Sequence, residues 1–135
     1  MALIGKITGG AVAAMLAAAL LGGSSASSDR TVEITIRHSR FLPASLEVAP
    51  GTTVRFVVRN TDPIDHELIV GDEQAQARHE KGTEAHHGAK PGEVSVPAGG
   101  TASTTYTFSK PGTVLIGCHL PGHYAYGMRG SVRVG

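Results

Sequence analysis

The chain has 135 residues and a near-neutral charge, with 12 Lys and Arg against 11 Asp and Glu, and it contains one cysteine. This length corresponds to a single domain, and the absence of a basic tract argues against nucleic acid as a partner. A single cysteine excludes a disulfide within the chain and any cluster that needs several thiolates.

The first 26 residues are predicted to be a signal peptide. One early cation, Lys6, precedes an uncharged apolar run over residues 7–23, and small residues at Ser24 and Ala26 fit a cleavage site after Ala26. The run is at the lower limit of a membrane span, so an uncleaved membrane anchor is the alternative. Cleavage yields an exported, periplasmic domain over residues 27–135, in which the positive and negative side chains balance once Lys6 is removed.

Beyond residue 30 the sequence is typical of strands. Apolar and polar residues alternate, as in half-buried strands, in segments at 31–37, 53–59, 66–70, 94–96, 101–108, 114–118 and 132–134. Sequences that favour turns separate these segments at 50–51, 60–63, 97–100 and 110–112. Short strands joined by such turns predict an antiparallel β-sandwich.

The segment 72–92 lacks the strand pattern. It is polar and charged, and it contains His79, His86 and His87. We expect a loop, with a short helix over about residues 73–81, because long structureless connections are uncommon inside compact domains. A solvated polar loop is one interpretation of this segment. The other is a second, labile copper or zinc site formed by the three histidines with Glu84, since histidine-rich tracts bind metals.

A motif near the C-terminus indicates a metal site. Cys118 ends an apolar strand, His123 follows five residues later, and Met128 follows after five more. Glycines within this segment allow the chain to turn, so that one tight loop can bring a thiolate, an imidazole and a thioether to one point. His66 begins another strand with its side chain on the same face as apolar residues, and we expect it to be the fourth ligand, held by the sheet.

The ligand types select copper. Two imidazoles, one thiolate and a weak axial thioether form the trigonal blue-copper set. Zinc would prefer further thiolates, imidazoles or a carboxylate in place of the thioether, and calcium and magnesium prefer oxygen ligands. His119 follows Cys118 directly, so its side chain should point away from this site, towards the surface or a neighbouring polar group.

These residues resemble the cupredoxins, and the C-x4-H-x4-M spacing is most similar to the rusticyanin and sulfocyanin branch and to periplasmic copper-resistance cupredoxins. The resemblance implies a Greek-key β-sandwich and a type 1 copper ion held by His66, Cys118, His123 and Met128. It also implies outer-sphere electron transfer and a position for His123 near the surface. One departure concerns Glu67, because many cupredoxins have at this position an Asn that fixes the cysteine loop.

The predicted function is single-electron transfer by a monomer, with one copper ion per chain cycling between Cu(I) and Cu(II). Its predicted partners are redox proteins such as cytochromes or oxidases. The alternative is a periplasmic copper-binding protein for copper tolerance or delivery, which would use the His79–His87 segment as its second site. An enzyme is not expected, because one domain offers neither a second, open copper site nor a convergent acid–base set.

Overall fold

A computed structural model describes residues 29–82, 87–88 and 90–135. The predicted signal peptide and its alternative, a membrane anchor, lie outside these residues, as do Glu84 and His86. Neither helix in the described part of the chain has the length and apolar character that crossing a membrane requires.

Strands dominate the described part of the chain. In order they are β1 (Asp29–Ile36), β2 (Phe41–Leu42), β3 (Ser45–Val48), β4 (Thr52–Asn60), β5 (His66–Gly71), β6 (Glu93–Val96), β7 (Thr101–Phe108), β8 (Gly112–Gly117) and β9 (Arg129–Val134). Two helices interrupt them, α1 (Glu73–Glu80) between β5 and β6, and α2 (His123–Tyr126) between β8 and β9. Helix α1 lies where the sequence predicted a short helix within the segment 72–92.

The strands form two sheets, with the orders β2-β1-β4-β7 and β3-β9-β8-β5-β6. The predicted β-sandwich is confirmed. The prediction of antiparallel pairing is wrong for two pairs, because β1 runs parallel to β4 and β3 runs parallel to β9. After β1 and β2 the chain crosses to the second sheet as β3. It then returns to the first sheet as β4, which lies beside β1 and runs in the same direction.

The core lies between the two sheets and follows the alternation in the sequence. In β4, the inward side chains of Val54, Phe56 and Val58 are fully buried, while the residues between them are more exposed. Phe56 and Phe108 meet edge to face with their ring centroids 6.3 Å apart, an arrangement that aromatic pairs favour. The second sheet adds Val70, Ile116, Val132 and other aliphatic side chains to the same cluster.

Strand β5 is buried on both faces. Its inward residues, including His66 and Leu68, face the core, while Ile69 on the outer face is also fully buried. Helix α1 covers that outer face, and the side-chain amide of Gln76 donates to the carbonyl oxygens of Ile69 and Leu115. One strand therefore carries polar side chains into two separate buried environments.

Candidate metal centre

The loop between β8 and β9 has a backbone that brings its two ends together. The N–H of Cys118 donates to the carbonyl of Met128 at 3.1 Å, and the N–H of Met128 donates to the carbonyl of His123 at 3.0 Å. Gly122 and Gly127 flank α2 with φ of 81° and 108°, a conformation that side chains with a Cβ disfavour. The turn predicted from the sequence thus depends on these two glycines.

His66 is oriented by a buried carboxylate. Its Nε2 lies 2.9 Å from Oδ2 of Asp62, and Asp62 also accepts hydrogen bonds from the backbone N–H groups of His38 and Ser39. Burial acts to raise the pKa of Asp62, but these hydrogen bonds and the one from His66 outweigh it and lower the pKa below 3.8. An ionised carboxylate only accepts, so Nε2 carries a proton, and Nδ1 is the nitrogen that faces the other predicted ligands.

The structure brings three of the predicted ligands together. Nδ1 of His66 lies 3.2 Å from Nδ1 of His123, and Sγ of Cys118 lies 3.3 Å from Nδ1 of His123 and 4.0 Å from Nδ1 of His66. His66, Cys118 and Met128 are buried, and His123 is half-buried, as expected for a residue near the surface. The backbone bonds of Met128 to Cys118 and His123 place it beside the same cluster.

Burial shifts the pKa values of two of the predicted ligands in this cluster. Burial raises the pKa of the Cys118 thiol to about 11, although the N–H groups of Leu120 and Glu67 donate to its sulfur and partly offset the shift. Burial, together with the neighbouring His66, lowers the pKa of His123 below 6.5. At neutral pH the imidazole is therefore free of a competing proton, and a metal that binds the sulfur must displace one proton from the thiol.

The sequence profile of the copper-binding proteins of the plastocyanin/azurin family matches residues 29–135. The chain belongs to this family. It is therefore a cupredoxin, as the resemblance of its metal motif implied, and its cofactor is copper. A copper-resistant cuproprotein, CopI, of Rubrivivax gelatinosus is 36% identical over 116 residues, which cover 83% of this chain and 70% of that protein. A protein of the same name from Pseudomonas aeruginosa is 29% identical, over 81% of this chain and 78% of its own length.

Solved cupredoxin structures share the fold. Auracyanin from Roseiflexus castenholzii matches with a TM-score of 0.66 and 23% identity, over 81% of this chain and 98% of that one. Auracyanin A, a blue copper protein from Chloroflexus aurantiacus, matches with a TM-score of 0.62 and 27% identity, over 80% of this chain and all of its own.

The residues present in this cupredoxin fit a copper ion. Two imidazole nitrogens and one sulfur converge, and the buried Met128 is bonded through its backbone to Cys118 and His123, so the residues supply the donor set of a type 1 site. Asp62 is a contact that the sequence analysis missed. Its position four residues before His66 is a usable signal, because a histidine that binds a metal commonly donates its other nitrogen to a carboxylate.

Glu67, at the position where the resemblance implied an Asn, holds the cysteine loop. Its Oε1 accepts a hydrogen bond from the backbone N–H of His119 at 2.8 Å, and its own backbone N–H donates to the sulfur of Cys118. The residue is buried, with 3% of its surface exposed. A carboxylate thus fixes the cysteine loop where an amide usually does so.

His119 points away from the metal cluster, as predicted, but it is buried and not at the surface. Its ring stacks on Tyr124 with centroids 4.6 Å apart. Its Nε2 and Nδ1 each lie 2.6 Å from an oxygen of α1, on Gln76 and Glu80 respectively. The cysteine loop is therefore bound to α1 as well as to β5.

A second cluster lies under α1, partly as the sequence suggested. His79 and His87 come together there, with ring centroids 5.0 Å apart. The third member is Glu93 of β6, which the sequence analysis did not select. Glu93 stands at the start of a short strand, and only the pairing of Ile69 with Glu93 brings it under α1.

Proposed function

We propose that this cupredoxin transfers single electrons with one copper ion, bound by His66, Cys118, His123 and Met128. The observation that carries the proposal is the convergence of Nδ1 of both histidines and Sγ of Cys118 within 4.0 Å of one another. When bound, copper supplies a one-electron couple between Cu(I) and Cu(II). A site held by a rigid frame favours this chemistry, because the ligands need to move little when the charge changes.

The chain's own groups would hold the site in one geometry. Asp62 fixes the ring of His66, and Glu67 fixes the backbone after Cys118. Burial of the sulfur and of Met128 excludes water from most of the site. His123 is half-buried at the end of the sandwich, so its ring edge is the exit for the electron, towards partners such as cytochromes or oxidases.

Voltammetry of the copper-loaded protein tests this proposal. We expect a reversible one-electron wave, and we expect the Cu(I) protein to reduce a soluble cytochrome c, used as a probe, without losing copper. A wave that is irreversible, or copper that leaves the protein during each cycle, would contradict electron transfer as the function.

A role in copper tolerance is the second candidate, and the two CopI relatives favour it, because both are named copper-resistant cuproproteins. Deletion of the gene from its host should then lower the copper concentration at which growth stops, and the wild-type gene should restore it, whereas a Cys118→Ser gene should not. Normal growth of the deletion strain in copper would eliminate this candidate and leave electron transfer.

We further propose that the protein is exported, that it acts as a monomer and that it catalyses no reaction of its own. Four protein ligands leave no coordination position for a substrate.

Mass spectrometry of the protein from the periplasm tests export, and it should give a chain that begins at Ser27. A chain that retains residues 1–26 in the membrane fraction would instead support the anchor.

A further inference from the structure

The cluster under α1 has the dimensions of a metal site. Nε2 of His79 lies 3.3 Å from Oε2 of Glu93, and Nδ1 of His87 lies 3.1 Å from the same oxygen. Donors about 2.0–2.1 Å from a zinc ion at tetrahedral angles stand about 3.3 Å apart. The two distances to Glu93 therefore match the separation of ligands around a shared cation, and one donor atom from each of the three residues lies within 4.8 Å of the others.

Both histidines direct one ring nitrogen to this point and the other nitrogen away from it. Nδ1 of His79 lies 2.7 Å from the carbonyl oxygen of Ala75, and Nε2 of His87 lies 3.2 Å from Oε2 of Glu67. A carbonyl and a carboxylate only accept hydrogen bonds, so these outer nitrogens carry the protons. The inner nitrogens face the carboxylate of Glu93, and a metal ion that binds there would replace any proton that they share with it. This pattern, in which the outer nitrogen donates to an oxygen, is typical of histidines that bind metals.

The surroundings of the cluster exclude most of the solvent. The side chains of His79, His87 and Glu93 are 8%, 2% and 7% exposed. Burial acts to raise the pKa of Glu93, but a hydrogen bond from Lys90 and its contact with His79 lower it below 4.5, so the group is a carboxylate at neutral pH. Glu67 adds a second buried acidic side chain on the same face, and Nζ of Lys90 lies 3.0 Å from Oε1 of Glu93.

We propose that Nε2 of His79, Nδ1 of His87 and a carboxylate oxygen of Glu93 form a second metal site, for a borderline divalent cation such as Zn(II) or Cu(II). Nitrogen and oxygen ligands without sulfur suit these ions and disfavour Cu(I). Three protein ligands leave the fourth position to water, which makes the site exchangeable. The assignment does not depend on the proposed function, because it uses none of the four predicted copper ligands, His66, Cys118, His123 and Met128.

Zinc binding to the protein already loaded with copper tests the site. Copper occupies the centre at Cys118, so added Zn(II) reports on other sites, by calorimetry and by metal counting after dialysis. We expect one Zn(II) per chain. Glu93→Gln and His79→Gln should each weaken it at least about tenfold, the lower end of the loss seen when even an outer partner of a metal ligand is removed.

Matched variants on exposed positions, Glu33→Gln and His38→Asn, should bind zinc as the wild type does. The visible absorption of the copper centre serves as the check on folding in every variant. No zinc bound by the wild type would overturn the proposal, and so would unchanged zinc binding in Glu93→Gln with the copper absorption intact.

X-ray absorption at the zinc edge of the wild-type protein needs no variant. Two imidazole nitrogens and oxygen ligands are the expected shell. A shell of oxygens alone would show that zinc binds elsewhere, and the cluster would then be a set of protonated histidines paired with Glu67 and Glu93.

Discussion

Two neighbouring residues of β5 serve opposite faces of the second sheet. The side chain of His66 enters the buried cluster at Cys118, and the side chain of Glu67 lies on the outer face under α1. The carboxylate of Glu67 receives the N–H of His119 on one oxygen and lies against His87 on the other. A single buried side chain thus joins the cysteine loop to the second histidine cluster.

Replacement of Glu67 tests its bond to the cysteine loop. Glu67→Leu leaves the N–H of His119 buried without its acceptor, which costs about 1–3 kcal/mol. Glu67→Gln retains a carbonyl oxygen for that N–H, so it should cost less. Urea unfolding of the metal-free proteins measures both, and equal losses for the two variants would show that the hydrogen bond contributes little.

Met128 is predicted to tune the copper centre and not to decide whether copper binds. In Met128→Leu we expect one copper per chain, a retained thiolate absorption and a higher reduction potential, because the axial thioether is the weak ligand of a type 1 site. Leucine is close to methionine in volume, so the free energy of unfolding should change by less than about 1.5 kcal/mol. Loss of all copper from this variant would contradict an axial role.

At the scale of elements, α1 is anchored by polar side chains, and Gln76 makes three of the contacts. The amide nitrogen of Gln76 donates to carbonyls of β5 and β8, and its oxygen faces Nε2 of His119. Helix α1 therefore covers the apolar Ile69 of β5 although it has no apolar stripe. Hydrogen bonds of its polar side chains hold it in place. This explains why the helix could be expected but its docking site could not.

Substitution of two glutamines in α1 tests the docking of the helix separately from its helix propensity. Gln76→Ala removes buried hydrogen bonds and should lower the free energy of unfolding by about 1–3 kcal/mol. Gln74→Ala, exposed on the same helix, should change it by less than about 0.5 kcal/mol. Chemical unfolding measures the two variants, and similar values for both would contradict the anchoring role of Gln76.

Local patterns in the sequence carried most of the fold and the core of the copper centre. Alternation identified β1 and β4, and the even spacing of Cys118, His123 and Met128 indicated one loop because all three lie within eleven positions of the chain. Features that depend on pairing between distant segments were not visible. The parallel register of β1 with β4, and the approach of Glu93 to His79, follow from sheet order and from the docking of α1.

At the scale of the whole molecule, the β-sandwich holds two clusters of metal-binding side chains on opposite faces of one sheet. The first has a sulfur ligand and lies at the end of the core, and the second has only nitrogen and oxygen donors and lies under α1. Their donor types differ, so they should differ in the oxidation state of copper that each prefers.

A titration with Cu(II), followed by visible absorption and by metal counting, tests the central claim most directly. We predict an intense thiolate-to-copper band that reaches its maximum at one copper per chain, bleaches with ascorbate and is missing in Cys118→Ser. Further Cu(II) that binds under α1 adds no such band, because that cluster has no sulfur. A wild-type protein that binds copper without this band, or a Cys118→Ser protein that retains it, would contradict the assignment of the copper centre.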